Sequence, residues 1–316
     1  MSVLTDSPRP QAAPAPPVRR RKDSLRPAWQ GRPRPLTTAV RGVALALICL
    51  LVIFPFAVVV STSLATQAEI DANGGYVVWV AKPTIDAYVQ IFNGGGVTRS
   101  IVVSIGVTAV GTAFSLACTT LAAYALSRRG TLFNRGLVTY FLVTLLFAPG
   151  MIPVYLMVKS LGMLNTYWAL IIPVAVSAFN VIIIRGFIQG IPQEIFDAAR
   201  IDGASEWRTF WHLALPLSRA SIAVVGLFIA VGYWNNYFGP LLYLNDSSMW
   251  PLQLLMRSFV LQNDTSAAAQ IPGTVPPPQQ AVQMALVVIA IVPILLAYPF
   301  LLRHMSKGML TGSIKG

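Results

Sequence analysis

What this sequence most lacks is charge. Only 11% of its 316 residues are Asp, Glu, Lys or Arg, against about 25% in soluble domains. A chain so poor in charge has too few polar groups to cover its own surface in water. That excludes an ordinary soluble fold and makes lipid its main solvent. Cysteine is nearly absent: Cys49 and Cys118 both fall inside apolar runs, so no disulfide framework is available and both read as small buried hydrophobes. The two histidines, His212 and His304, have no carboxylate or nucleophile at a meaningful spacing. No residue is therefore a catalytic candidate, and no metal-ligand cluster exists. A G-x-x-x-x-G-K-[ST] phosphate loop occurs nowhere in the sequence, which excludes a nucleotide site of that type. The net charge of +12 does not point to nucleic acid, because the basic residues lie between apolar runs and form no stripe.

Hydrophobic residues make up 55% of the chain, and they are gathered into six runs: 43–64, 100–126, 136–158, 168–184, 220–243 and 281–302. Each is long enough for a helix to cross about 30 Å of hydrocarbon. Residues 1–40 hold eight prolines and almost no large aliphatic side chains, and so read as a disordered basic tail. Ser63-Leu64-Ala65 looks faintly like a signal-peptidase site. The run before it exceeds the roughly 7–15 residues of a signal-peptide core, so it reads as a retained span. No run has an Asp, Glu, Lys or Arg in its interior. A central charge costs about 2.5–3.5 kcal/mol on the insertion scale, a cost that carriers relaying protons through buried carboxylates must bear. With six spans both termini share a side, and that side holds 19 of the 23 Lys and Arg residues. The positive-inside rule puts both termini in the cytoplasm. Trp79, Tyr167, Trp168, Tyr243 and Trp250 suit an aromatic belt at the outer ends. Pro55, Pro149, Pro153, Pro173 and Pro293 mark kinks.

The cytoplasmic stretch 185–219 is longer than its neighbours. Pro192 suits a first helical position, with Glu194 and Asp197 near the positive end of the dipole. Ile195, Ala198, Ala199 and Ile201 give a partly apolar face. Gly203 suits a left-handed helix stop, and Ser205 an N-cap for a second helix. Trp207, Phe210, Trp211 and Ala214 recur at one-face spacing, and Pro216 is expected to stop that helix before the next span. Two readings are open for these two short helices: an amphipathic element lying on headgroups, or a lever docked in a groove of a cytoplasmic partner.

These residues also carry a family resemblance. Asp197-Ala198-Ala199, then Asp202-Gly203-Ala204, then Leu213-Ala214-Leu215-Pro216 resembles the EAA loop of binding-protein-dependent ABC importers. Asp197 stands where that family usually has Glu, and Leu213 where it has Ile. The longer string from Ile191 to Ser205, with Met151-Ile152-Pro153 and Leu161 to Thr166, is similar to sugar permeases of the maltose-transporter type. Trp234-Asn235-Asn236-Tyr237, Trp250-Pro251-Leu252-Gln253 and the ending Thr311 to Gly316 look closest to permeases for polysaccharide or complex-oligosaccharide uptake. The resemblance covers nearly all of the chain after the tail.

It implies an all-α, polytopic bundle of six transmembrane helices over 41–316, with a coupling loop at about 190–216 that engages a separate ATPase. The coupling residues it implies are Glu194, Asp197, Ala198, Ala199, Arg200, Asp202, Gly203, Ala204, Trp207, Phe210, Leu215 and Pro216. The implied partners are a second homologous permease, two ATP-binding cassette subunits and an extracytoplasmic solute-binding protein. ATP and Mg would sit on those partner subunits, leaving this chain without a cofactor. The location implied is a prokaryotic plasma (inner) membrane. Gly312, Ser313 and Lys315 are candidates for a tail contact with the ATPase, with a frayed terminus as the other reading. Trp234, Asn235, Asn236 and Tyr237 are candidates for the translocation path, with interhelical hydrogen bonding as the other reading for the two amides. The outer segments 65–99 and 244–280 are expected to meet the binding protein or to serve as plain connectors. The competing functional class is an ATP-independent carrier or channel; a scaffold without transport is a third.

Overall fold

The computed structural model describes residues 35–262, apart from 129, 131 and 132, and residues 279–312. Helices α1 (Pro35–Ser63), α2 (Gln67–Ala72), α3 (Asp86–Asn93) and α4 (Gly96–Ser127) come first. They are followed by α5 (Asn134–Leu146), α6 (Met151–Ser160), α7 (Trp168–Ile171) and α8 (Ala178–Gln189). Two short helices, α9 (Gln193–Ile201) and α10 (Glu206–Thr209), lead through a π-turn at Phe210–Ala214 into α11 (Leu215–Trp234). The chain closes with α12 (Phe238–Tyr243), α13 (Leu252–Gln262) and α14 (Gln279–Gly312). No strand occurs among the described residues.

Three helical stretches are long and apolar enough to cross a membrane: α1, α4 and the continuous run Glu206–Trp234. Counting two bent pairs as one span each raises the number to five. Among the described side chains, the apolar part of α14 is the shorter Gln280–Leu296. The run at 136–158, expected as one helix, is instead α5 and α6, bent by 115°. Pro149 and Gly150 explain the break: proline disfavours helix in the residue before it and has no N–H to donate. Pro153 then sits in the first turn of α6, where its missing donor has no intrahelical partner to lose. The run at 168–184 is likewise bent, by 53° between Trp168–Val174 and Ala178–Gln189, with Pro173 in the 3-10 turn before the bend. The run at 220–243 ends early, at Trp234.

The chain divides after Ile53 into two compact units. The described part of the first is the N-terminal portion of α1. Its described residues run from Pro35, so residues 35–40, expected as part of the tail, are helical. Its apolar side chains are exposed, Cys49 among them, contrary to the expectation of a buried thiol.

In the second unit α4, α8 and α11 pack around one core. The approach of α4 to α11 is set by glycine. A Cβ on Gly111 would stand 2.8 Å from the Tyr233 ring, and one on Gly226 would stand 3.1 Å from Leu116. Small residues are what let apolar helices approach when lipid offers no hydrophobic drive. Beside Gly111, the hydroxyls of Ser115 and Tyr233 are 2.8 Å apart, and Tyr233 also donates to the Ile171 carbonyl at 3.3 Å. Other buried hydroxyls bond back to their own helix, Thr120 to Leu116 and Ser221 to Ser218. Ser104 accepts the orphan N–H of Leu252 at the start of α13 (2.8 Å). A second cluster joins α2 and α3 to α14 through Ile70, Ala87, Ile91, Ala285 and Leu286.

Gly111→Ala should overpack the α4–α11 contact and cost about 1–3 kcal/mol; Tyr233→Phe should cost about 1 kcal/mol. Thermal unfolding of the detergent-solubilised protein tests the order, with Gly111→Ala the lower-melting variant.

Candidate functional site

The two short helices at 193–209 are joined by a compact turn. Gly203 has φ of +78°, the left-handed region that only glycine enters without steric cost. The Ala204 N–H bonds the Ala199 carbonyl at 2.9 Å and the Gly203 N–H bonds that of Arg200 at 3.1 Å. This pair of bonds is a Schellman stop. Two residues on, Ser205 caps α10 by accepting the Arg208 N–H at 3.3 Å. Pro192 stands one place earlier than expected, as the N-cap of α9. Glu194 and Asp197 are exposed, and Asp197 accepts from Gln193 at 3.1 Å.

The expected stop at Pro216 is absent. Helix continues from Glu206 to Trp234, and the π-turn carries the chain past the proline, with the Leu215 N–H bonded to the Phe210 carbonyl. Pro216 thus falls at the start of α11. The same turn splits the expected aromatic face. Phe210 and Ala214 are buried, while Trp207 and Trp211 stay 64% and 60% exposed. On α9 the buried residue is Phe196, not the Ile195–Ile201 face; Ile201 is 87% exposed.

The inner side of the loop is clamped to the end of α4. Tyr124 donates to Glu206 Oε2 at 2.7 Å. Glu206 Oε1 meets Arg128 at 3.3 Å and Arg200 at 3.4 Å. The Arg128 guanidinium also lies 4.6 Å from the Phe196 ring centre, and Tyr124 packs 5.0 Å from Phe210. A cavity of about 440 Å³ opens between Leu121, Arg128 and Trp207. Arg185 of α8 donates to the Leu126 carbonyl at 2.9 Å, which fixes the same end of α4. Sequence reasoning missed Tyr124, Arg128, Phe196 and Glu206. Glu206 alone left a signal, an acid in the first turn after a serine cap.

At the other end of α11, Trp234 closes the helix, and Asn235 to Tyr237 lie in the break before α12, not within a span. Trp234 is only 6% exposed and its indole donates to the Ala290 carbonyl of α14 at 3.1 Å. Asn235 donates to the Val231 carbonyl at 3.0 Å, and Asn236 accepts the Gly239 N–H at 3.0 Å. Both amides thus cap local backbone. Tyr237 is exposed, with Arg257 of α13 over its ring at 4.6 Å. In the segment after α1, Glu69 forms a capping box with Thr66 and accepts the N–H groups of Ala81 (2.9 Å) and Lys82 (3.1 Å). Desolvation alone would raise its carboxyl pKa, but these backbone bonds outweigh it and hold the group below the usual carboxylate range. Gly312 ends α14. Ser313, Lys315 and the proline-rich 276–278 lie outside the described residues, as does the tail before residue 35.

Residues 34–311 match the family of the binding-protein-dependent transport system inner membrane component. The chain belongs to this family. Among relatives of this inner membrane component, Protein LplC of Bacillus subtilis is 46% identical over 84% of this chain and 90% of its own length. The polygalacturonan/rhamnogalacturonan transport system permease protein YtcP of the same organism is 44% identical over 86% and 94%. Among solved structures, a bacterial ABC transporter involved in import of the acidic polysaccharide alginate superposes with TM-score 0.78. It shares 27% identity and covers 85% of this chain and 96% of the matched one.

Glu206→Ala should remove the carboxylate shared by Arg128, Arg200 and Tyr124, loosening the loop by about 1–2 kcal/mol after solvent screening. Hydrogen exchange should then quicken about tenfold at the 193–209 amides and stay unchanged at α14. A second outcome concerns pH. Because the folded-state pKa of Glu69 is depressed, its bonds are present above the unfolded value and lost as pH falls through the folded one. The Ala81 and Lys82 amides should lose protection in acid, and Glu69→Gln should largely remove that pH dependence.

Proposed function

We propose that this chain is a six-span permease subunit that moves a carbohydrate into the cytoplasm, driven by ATP hydrolysis on separate subunits. Its partners in this reading are a second, homologous permease, two ATP-binding cassette subunits and an extracytoplasmic binding protein. The sixth span is α14, and the bent pairs α5–α6 and α7–α8 count as one each. Both termini face the cytoplasm, in keeping with the 19-to-4 split of basic residues. Carbohydrate as the cargo follows from the relatives, whose names specify pectic polymers and alginate.

The observation that carries the reading is the loop at 190–216. It presents a rigid turn with Ile201, Trp207 and Trp211 outward, while its inner face is bound through Glu206 to α4 and its backbone runs unbroken into α11. Such a lever takes a push from a docked ATPase and delivers it to two long helices together. Glu194, Asp197, Ala198, Arg200 and Asp202 stand on its exposed side and would meet the cleft of the ATPase. No phosphate loop is present in the sequence, so the hydrolysed nucleotide belongs to the partner.

Gly203→Val tests the lever. No heavy atom lies within 4 Å of the new Cβ, so the cost is backbone strain, about 1–2 kcal/mol or more. In a reconstituted complex we expect weaker retention of the ATPase subunits and loss of ATP-driven uptake. Uptake and retention at wild-type levels would refute the coupling role, and transport in liposomes without any ATPase would refute the importer.

A further inference from the structure

We propose that Arg257, held over Tyr237 beside Asn235 and Asn236, is a subsite for the carboxylate of an acidic sugar, so that the cargo contains uronate residues. This rests on the carbohydrate-importer reading and narrows it.

Arg257 lies on α13 with its guanidinium carbon 4.6 Å from the Tyr237 ring centre. Among the described residues that is its one recorded interaction; no hydrogen bond or ion pair engages it. Two carboxylates of the outer segments are engaged by backbone. Asp246 accepts the Ser248 N–H at 2.8 Å, and Glu69 accepts those of Ala81 and Lys82. Arg257 is thus a cation with five donors, and among the described residues no carboxylate is spent on it. An arginine stacked on an aromatic ring keeps its donors for a second partner and suits bidentate recognition of a planar carboxylate. Because the ring already restrains it, less freedom is lost when a ligand arrives.

The neighbours supply what the rest of a sugar needs. Asn235 uses its amide nitrogen on Val231, leaving its oxygen as an acceptor. Asn236 uses its oxygen on Gly239, leaving its nitrogen as a donor. Hydroxyl groups require both. Tyr237 and Phe238 are exposed, offering apolar surface to the C–H face of a pyranose ring. The turn is held in shape by Gly239, where a Cβ would come within 2.9 Å of the Asn236 amide. A neutral sugar offers the guanidinium only hydroxyl acceptors; an acidic one offers a carboxylate that takes two parallel bonds and balances the charge.

The test uses the complete importer with its binding protein and ATPase subunits in liposomes. ATP-driven uptake of trigalacturonate is compared with that of its fully methyl-esterified form. Arg257→Gln should lower the acid-to-ester uptake ratio about tenfold or more, the effect of losing a hydrogen bond to a charged group, and Arg257→Lys should recover part of it. A ratio unchanged in Arg257→Gln overturns the proposal, because a purely structural arginine would affect both sugars alike. ATP-driven uptake of the ester without the acid overturns it while leaving the importer reading standing. Uptake that persists without the ATPase subunits overturns both.

Discussion

The structure depends on how closely α4 and α11 pass. Gly111 leaves a gap that the Tyr233 ring fills, and Ser115 meets the ring's hydroxyl. In lipid there is little hydrophobic gain from bringing two apolar helices together, so steric fit and a few internal polar bonds must do it. The same two helices meet again where the end of α4 holds Glu206, and Glu206 heads the helix that becomes α11. The contact is therefore closed on itself: one lock near the C-terminal end of α11, one clamp ahead of its start, and continuous backbone between them. A closed arrangement of this kind ties the 206–234 helix to α4 at two separate points.

Much of this was legible before any coordinates. Apolar run lengths locate nearly every long helix, because nothing but helix satisfies backbone polar groups in hydrocarbon over such distances. Gly203 and Ser205 mark the loop's turn and second start correctly, since left-handed backbone and N-capping are local demands. Direction was not legible. Run length counts residues, not bends, so the 115° break at Pro149-Gly150 was read as a mere kink.

The clamp was hidden for a different reason. Tyr124 and Arg128 reach Glu206 across about eighty positions of sequence, and no periodicity records a contact between distant segments. Phe196 was overlooked because a three- to four-residue spacing picked the isoleucines on the other side of α9. The amides at 235 and 236 looked like groups in need of interhelical partners, but a chain break beside them supplied backbone partners instead. Where a polar side chain stands next to a helix end, the cheapest partner is its own backbone.

The π-turn at Phe210–Ala214 has one more consequence. A wider turn adds a residue to the helix without adding length to its packing, so everything upstream is rotated relative to α11. That rotation turns Phe210 inward and leaves Trp207 and Trp211 outward. Which side chains of the loop stand outward is therefore decided by a winding defect and not by the order of residues alone. A lineage could re-aim this surface by gaining or losing a single residue in the turn, with the buried half of the protein left untouched.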